Sequence, residues 1–308
     1  MFFTEKGLLA GLPLCIIIAF IAISIGSSSI FEMRVVWLGI GLALVIVHLN
    51  LKEKGRGFMK KRCIGLYFKM ISRTFKSSTS VQYALKTRRS HDTLVIVFSA
   101  FSRVGLPATY NYMATTKEVA ADRLFILDDF GYNKQGGYYL FHKGTRAPET
   151  VVTELIESII AQKKYRKVIC VGTSKGGYAA LYYGLKLKAN AVIAGAPQYF
   201  LGDYLTDIPE KEPTHKGMVG EKEAYSVSYL NRLLRDKVLE EPKFPINFYI
   251  HYSCNEHTYR EHIADLIQDL KTSGYPLTLD EQRYYKHQEV AYYFPPFLKR
   301  TLKKIIEE

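Results

Sequence analysis

A serine between two glycines, in Gly172-Thr173-Ser174-Lys175-Gly176, is the clearest candidate for chemistry in this chain. It directly follows the apolar run at residues 167–171 and opens a helical pattern. In a strand-to-helix turn, a Gly-x-Ser-x-Gly motif lets the hydroxyl project above the sheet, where the helix N-terminus favours developing negative charge. We therefore expect Ser174 to be a nucleophile. The alternatives are a turn that merely joins strand and helix, and a phosphate loop, but neither phosphate-binding glycine spacing is present.

A nucleophilic serine needs a base and a carboxylate that orients the base. In this kind of site the chain order is serine, acid, histidine. His287 lies in a short loop between a weak strand at residues 277–279 and the final predicted helix. We expect His287 to be the base. The alternative is a surface histidine without a catalytic role.

Glu256 is the candidate for the acid, because it follows the strand-like run at residues 246–251 almost directly. Asp280 is an alternative at the end of the last strand, seven residues before His287. Glu256 could equally be a carboxylate that interacts with the dipole at a helix N-terminus. The sequence leaves these readings open.

The same edge of the predicted sheet holds the remaining candidates. An oxyanion would be bound by the backbone N–H of Lys175 together with one from the loop around Phe101 and Ser102. Asp128 and Asp129 follow the second strand-like run, at the edge where ligands bind in open α/β folds. They are candidates for substrate binding or for orienting loops.

Strand-like and helix-like segments alternate from residue 93 onward. This alternation predicts an α/β fold with a mostly parallel sheet and helices on both faces, as in α/β-hydrolases. Uninterrupted β-branched and aromatic runs favour central strands at residues 93–100, 123–127, 167–171, 191–194 and 246–251. Helices are predicted at residues 108–121, 148–164, 176–187, 258–272 and 290–306. The irregular stretch at about residues 198–245 is expected to form a lid.

Two apolar runs near the N-terminus, residues 7–26 and 35–49, predict a transmembrane hairpin within residues 1–51. About 20 apolar residues cross a bilayer, so the second run needs its flanks. A cleaved signal peptide is the alternative, but no basic leader precedes the first run. The positive-inside rule puts the rest of the chain in the cytosol because six basic residues follow: Lys52, Lys54, Arg56, Lys60, Lys61 and Arg62. Residues 52–92 would be a basic juxtamembrane lead-in and residues 93–308 the catalytic domain.

The composition fits one large catalytic domain with a short additional module. The chain has 308 residues, of which 48% are hydrophobic, and a net charge of +13. Because much of the positive charge follows the apolar N-terminus, an anionic membrane surface is a better partner than nucleic acid, for which no motif is present. His257 and His262 are separated by five residues, which turns them away from a common helix face, so we expect no metal site.

Several short motifs occur together between about residue 94 and the C-terminus. They are Phe98-Ser99-Ala100-Phe101, Leu127-Asp128-Asp129-Phe130-Gly131, Gly136-Gly137-Tyr138-Tyr139-Leu140, Gly172-Thr173-Ser174-Lys175-Gly176-Gly177, Ala180-Leu181-Tyr182-Tyr183-Gly184 and His251-Tyr252-Ser253. With these motifs the chain resembles capsular polysaccharide biosynthesis proteins of the XcbB/CpsF type. More distantly, it is similar to the glycan O-acetyltransferase of the accessory Sec system.

The resemblance implies chemistry for particular residues. The accessory Sec protein uses a serine, glutamate and histidine triad to O-acetylate protein-linked sugars, which implies those roles for Ser174, Glu256 and His287. This chain lacks the large extra domains of that protein and carries the predicted hairpin instead. The capsule-type resemblance implies a place in surface polysaccharide synthesis.

We therefore expect acyl transfer, from a donor such as acetyl-CoA, to a sugar hydroxyl on a lipid-linked glycan precursor at the cytosolic face of the cell membrane. No resident cofactor is expected, and the partners would be membrane lipid, the glycan acceptor and other glycan-assembly proteins. With water as the acceptor the enzyme would be an esterase. Two further readings stay open: a non-catalytic membrane scaffold, with Lys175 beside the serine in its favour, and a lipase or thioesterase.

Overall fold

The computed structural model describes residue 68 and residues 70–88, 91–102, 108–240 and 245–308. The strands and helices given below belong to one compact unit, Ser72–Glu308. The predicted hairpin at residues 1–51 lies outside the described residues, as does most of the lead-in before residue 70. Within the described part of the chain, no helix combines the length and the apolar character needed to cross a bilayer.

An eight-stranded sheet forms the centre of the fold. Its strands are β1 (Arg73–Lys76), β2 (Ser80–Lys86), β3 (Thr93–Phe98), β4 (Asp122–Ile126), β5 (Lys167–Thr173), β6 (Ala191–Gly195), β7 (Asn247–Tyr252) and β8 (Leu277–Glu281). They lie in the order β1-β2-β4-β3-β5-β6-β7-β8. Strands β3 to β8 pair in parallel, whereas β1 and β2 form an antiparallel hairpin against β4. The predicted α/β class and mostly parallel sheet are confirmed.

Burial follows the position of each strand in the sheet. Strands β3, β4 and β6 are buried along their whole length, as the continuous apolar runs in their sequences require. Strand β8 lies at the edge, and its residues are exposed or half-buried. The apolar runs of β3, β4 and β6 therefore mark the centre of the sheet.

Seven α-helices lie within the described residues. They are α1 (Ala147–Lys163), α2 (Lys175–Lys186), α3 (Leu201–Thr206), α4 (Glu212–Val219), α5 (Val227–Leu239), α6 (Ala264–Thr272) and α7 (Val290–Glu307). A π-helix at Tyr259–Ile263 leads into α6, and short 3₁₀-helices occur at Tyr132–Lys134, Pro209–Lys211 and His287–Glu289. Four of the five predicted helices are present, at α1, α2, α6 and α7.

Helices cover both faces of the sheet, as the alternating pattern predicts. Consecutive side chains of a strand point to opposite faces, so Val192 and Gly195 of β6 lie on different faces. A Cβ added to Gly184 of α2 would overlap the Val192 side chain. A Cβ added to Gly195 would lie 2.6 Å from the Phe294 ring of α7. Helices α2 and α7 therefore pack on opposite faces.

The helix predicted at residues 108–121 is wrong. The segment forms turns, because Tyr112 has a φ of 58°, outside the right-handed helical region. Its hydroxyl is hydrogen bonded to Thr173 Oγ1 at 2.9 Å. The backbone N–H of Ala100 donates to Asn111 Oδ1 at 2.8 Å. These tertiary hydrogen bonds fix a conformation that overrides the helical pattern.

The sequence predicted an irregular stretch at about residues 198–245, but the part that the structure describes, residues 198–240, is mostly helical. It contains α3, α4, α5 and the 3₁₀-helix Pro209–Lys211. Helix α5 begins after Ser226, whose Oγ accepts a hydrogen bond from the N–H of Tyr229 at 3.2 Å. Its buried face carries Leu230, Leu234 and Val238 at helical spacing. We call residues 198–240 the cap segment; its role as a lid stays a prediction.

Candidate active site

Ser174 lies in a tight turn between β5 and α2. Its φ of 51° and ψ of −123° are rarely adopted by residues with a side chain. The backbone N–H of Ser174 donates to Gly195 O at 2.8 Å. A Cβ on Gly172 would overlap Gly176 O, and a Cβ on Gly176 would overlap Phe98 O, so both flanking positions accommodate only glycine. The turn fixes the serine at the carboxyl edge of the parallel strands.

His287 is hydrogen bonded to this serine. Its Nε2 lies 2.8 Å from Ser174 Oγ. The histidine opens the 3₁₀-helix His287–Glu289, directly before α7, and its side chain is 25% exposed. A neutral imidazole at this distance can accept the serine proton.

Glu256 is hydrogen bonded to the other nitrogen of His287. The distance from Glu256 Oε1 to His287 Nδ1 is 3.1 Å. Glu256 is 1% exposed, and its Oε2 accepts a hydrogen bond from the Thr258 hydroxyl. Burial raises the pKa of Glu256, but the His287 and Thr258 hydrogen bonds and the charge of His287 together lower it below its usual value. An ionised carboxylate here holds the His287 tautomer that presents Nε2 to the serine.

Asp280, the alternative acid, contacts a different histidine. Its Oδ2 lies 2.6 Å from Nδ1 of His251, its neighbour across β7 and β8. His251 is fully buried, and its ring stacks against Tyr284. The structure therefore brings Glu256, and not Asp280, to His287.

A single hydroxyl joins the loops that carry Glu256 and His287. Ser253 Oγ donates to Tyr284 O at 2.7 Å and accepts from the N–H groups of Tyr284 and Asn255, each at 3.2 Å. The carbonyl of Ser253 accepts from the N–H of Glu256 at 3.2 Å. Because Ser253 is fully buried, water does not compete for these bonds. These bonds fix the positions of Glu256 and His287 relative to each other.

Gln198 is a site residue that the sequence reasoning missed. Its Nε2 donates to Ser174 Oγ at 3.1 Å, and its side chain is fully buried. Its Oε1 has no hydrogen-bond partner among the described residues. No catalytic motif includes this residue, and the only available signal was its place shortly after the buried strand β6. With Gln198 donating to the serine oxygen, the hydroxyl proton is left to point at His287.

Lys175, next to the nucleophile, turns its side chain into the protein. Its Nζ lies 2.8 Å from Asp128 Oδ2, and both side chains are at most 1% exposed. The Asp128 carboxylate also accepts from the N–H groups of Gly137 at 3.0 Å and Tyr139 at 3.2 Å. The Asp128 oxygens are therefore buried and bonded to Lys175 and to the loop at Gly137 and Tyr139, and a substrate-binding role for Asp128 stays a prediction. The pair also neutralises the lysine beside the serine.

The remaining predicted residues lie around this centre. Asp129 is half-buried, and burial followed by the charge of Asp128 raises its pKa. Lys175 is the first residue of α2, where a backbone N–H has no partner within the helix. Phe101 and Ser102 follow β3, whose last residue packs against the elbow at Gly176. Their oxyanion role stays a prediction, as does a substrate role for Asp129.

Solved structures share this architecture. A capsule O-acetyltransferase of Neisseria meningitidis serogroup A aligns with a TM-score of 0.59 and 20% identity, over 74% of this chain and 91% of that one. The serine hydrolase FphF of Staphylococcus aureus aligns with a TM-score of 0.57 and 14% identity, over 77% and 98%. The chain has an α/β-hydrolase fold. At these identities the likeness concerns the fold alone.

Two further neighbours extend this comparison. A mutant of the Neisseria meningitidis capsule O-acetyltransferase in complex with CoA aligns with a TM-score of 0.60 and 19% identity, over 75% of this chain and 94% of that one. A Glycosylation Associate Protein complex from Streptococcus agalactiae aligns with a TM-score of 0.61 and 19% identity, over 75% and 46%. No protein-family model and no curated protein matches the chain. The same fold thus occurs in acetyltransferases, in a glycosylation complex and in serine hydrolases.

Replacing Gln198 by Met should slow the reaction of Ser174 with a fluorophosphonate by about twofold to tenfold. The physical reason is the loss of the hydrogen bond that leaves the hydroxyl proton pointing at His287, and such a bond is worth about 0.5–1.5 kcal/mol. Labelling rates of the wild type and variant would be compared after circular dichroism shows equal folding. An unchanged rate in a folded variant would contradict this role.

Lys175→Met should lower the free energy of unfolding by about 3–5 kcal/mol, because it leaves the buried Asp128 carboxylate without its partner. The double variant Lys175→Met/Asp128→Asn should recover most of that loss. Urea denaturation measures both. The exposed pair of Lys216 and Glu212 is the control, since Lys216→Met should change stability little. Equal stability of the single and double variants would refute the coupling.

Glu256→Gln should change how stability depends on pH. The lowered pKa means that the ionised carboxylate stabilises the folded state above the ordinary glutamate pKa of about 4.3, and that this contribution is lost as pH falls through the folded pKa. The difference in unfolding free energy between wild type and variant should therefore shrink below about pH 4. Thermal denaturation at several pH values tests this, with the exposed Glu240→Gln as control. A pH-independent difference would count against it.

Proposed function

We propose that this chain is a serine-dependent O-acyltransferase acting on a cell-surface or capsular glycan precursor. The observation that carries the proposal is the hydrogen-bonded series from Ser174 Oγ through His287 to the buried Glu256. Such a series is the working arrangement of enzymes that transfer acyl groups through a serine ester. The fold likeness to a capsule O-acetyltransferase supports a glycan as the acceptor.

In the first half-reaction, Ser174 Oγ attacks the carbonyl carbon of the acyl donor while its proton moves to His287 Nε2. The tetrahedral oxyanion is held by the N–H of Lys175 and by one from the loop of Phe101 and Ser102. The bond from carbon to the donor sulfur or oxygen then breaks. The leaving group takes the proton from His287, and the acyl group stays on Ser174.

In the second half-reaction, a sugar hydroxyl gives its proton to His287 and attacks the acyl carbon. The bond to Ser174 Oγ breaks, and the serine oxygen takes the proton back from His287. Glu256 stays ionised in both halves and stabilises the imidazolium. The products are the acylated sugar and the free enzyme.

The donor we favour is an acyl thioester such as acetyl-CoA. The likeness to a capsule O-acetyltransferase crystallised with CoA supports this donor. The predicted hairpin at residues 1–51 and the basic lead-in would hold the enzyme at the cytosolic face of the cell membrane. Lipid-linked glycan precursors and other glycan-assembly proteins would meet it there.

Hydrolysis is the second candidate, with water in place of the sugar. It is favoured by the 25% exposure of the His287 side chain, which lets water reach the base. The chemistry up to the acyl-serine is the same in both cases. Exclusion of water while the acceptor is bound decides between transfer and hydrolysis.

The full-length protein should react with a fluorophosphonate at Ser174, as identified by mass spectrometry of the labelled peptide. Ser174→Ala should abolish the labelling, and His287→Ala should slow it at least a hundredfold, because the serine then lacks its base. His91→Ala is the control, since His91 precedes β3 at the opposite edge of the sheet and should react like the wild type. Labelling that survives in Ser174→Ala, or is absent from the wild type, would refute the nucleophile.

The acceptor is tested in cells that carry the wild type or Ser174→Ala at equal expression. Mass spectrometry of the surface polysaccharide should show loss of an acyl mass from an otherwise intact polymer. If Ser174 is reactive but the polymer is unchanged, the acceptor is water or another substrate and not the glycan.

A further inference from the structure

Lys211, in the cap segment, carries an ammonium group that forms no ion pair with any of the described residues. It ends the 3₁₀-helix Pro209–Lys211 of the cap segment. Its Nζ lies 4.2 Å from the ring centroid of Phe101 and 5.5 Å from that of Tyr204. Its side chain makes no ion pair or hydrogen bond with any residue in the described ranges. Two aromatic rings therefore hold a cation that forms no ion pair within the described ranges, although the charge of Glu210 acts on it from a distance.

The two rings connect Lys211 to the residue that follows Ser174 and, through the charge of Glu256, to the acid of the proposed triad. The Phe101 ring also lies 4.9 Å from Nζ of Lys175, the residue that follows the nucleophile. On the other side, burial and then the charge of Glu256 raise the pKa of Tyr204 to about 12, so Tyr204 lies within electrostatic range of the acid. Lys211 therefore belongs to the surroundings of the reacting centre.

The electrostatics of this position favour an anion. Burial, followed by the charge of Lys175, lowers the pKa of Lys211, and the charge of Glu210 opposes this only in part. Lys175 forms an ion pair with Asp128, whereas Lys211 forms none within the described ranges. Contact with aromatic faces stabilises a cation by less than the desolvation of an ion costs. A negatively charged group on a ligand would supply the missing interaction.

Two hydroxyls beside Phe101 are also without partners. Ser102 Oγ and the Tyr138 hydroxyl are buried, and neither has a hydrogen-bond partner among the described residues. The Tyr138 ring lies 5.7 Å from the Phe101 ring. Buried polar groups are normally bonded, so two such hydroxyls around the ring that contacts Lys211 favour a polar ligand there. Hydroxyls and an ammonium together are the donors that phosphate and carboxylate oxygens accept from.

We propose that Lys211 binds an anionic group, a phosphate or a carboxylate, on a ligand of the Ser174 site. This inference rests on the proposed acyl transfer and adds the charge of the ligand to it. The group belongs either to the acyl donor, as the phosphates of a CoA thioester do, or to an acidic or phosphorylated sugar acceptor. In both cases the cap segment holds the ligand by its charge while the acyl carbonyl meets the serine.

Protection of Ser174 from a fluorophosphonate tests this without requiring turnover. CoA is compared with uncharged pantetheine for the donor, and N-acetylglucosamine 1-phosphate with N-acetylglucosamine for the acceptor. In Lys211→Met, the concentration of the anionic competitor that halves the labelling rate should rise about tenfold to a hundredfold, as expected for a lost hydrogen bond to a charged group. The uncharged competitors should act on the variant and the wild type alike.

Two lysine variants sharpen the test. Lys211→Arg keeps the charge and should retain most of the protection. Lys222→Met removes an exposed lysine of the same cap segment and should behave as the wild type does.

Equal protection of wild type and Lys211→Met, or no protection of the wild type by either anion, would overturn the subsite. Failure of the wild type to label at all would instead refute the proposed function. A shift with CoA alone assigns the anion to the donor, and one with the sugar phosphate alone assigns it to the acceptor.

Discussion

Close packing of backbone atoms around the Ser174 turn is the constraint on which the rest of the site depends. Backbone atoms of β3 and α2 meet so tightly there that Gly172 and Gly176 have no room for a Cβ. The serine accordingly takes a backbone conformation that residues with side chains rarely adopt. Such a turn persists only when the surrounding sheet and helix over-determine it. The buried strands and the wholly buried first turns of α2 provide that surrounding structure.

The other residues of the site lie in the connections that follow three successive strands of the sheet. Gln198 follows β6, Glu256 follows β7 and His287 follows β8, so every group arrives at the same carboxyl edge. Each is then held by hydrogen bonds that are at least partly buried, which limits the freedom of the arrangement. Preorganisation of this kind is the main physical source of catalysis by serine enzymes.

The sequence predicted the sheet, four helices and the three hydrogen-bonded residues because each left a local pattern. Continuous apolar runs revealed the strands, and the glycine spacing revealed the serine. Gln198 left no pattern, since its role comes from a contact across 24 positions of the chain. The helix expected at residues 108–121 was wrong, and the ion pair of Asp128 with Lys175 was not predicted, for the same reason. Tyr112 and Lys175 make tertiary contacts that no periodicity encodes.

The Ser253 hydroxyl has a consequence for how this fold tolerates change. Ser253 Oγ is hydrogen bonded to Tyr284, and the segment between these two residues contains the π-helix, α6 and β8. The two ends of this segment are therefore joined. The distance between Glu256 and His287 then depends on that hydrogen-bonded junction and not on the length of the segment. Surface insertions within it would cost mainly chain entropy, which grows slowly with length. The fold can therefore vary its outer face while the reacting atoms keep their spacing.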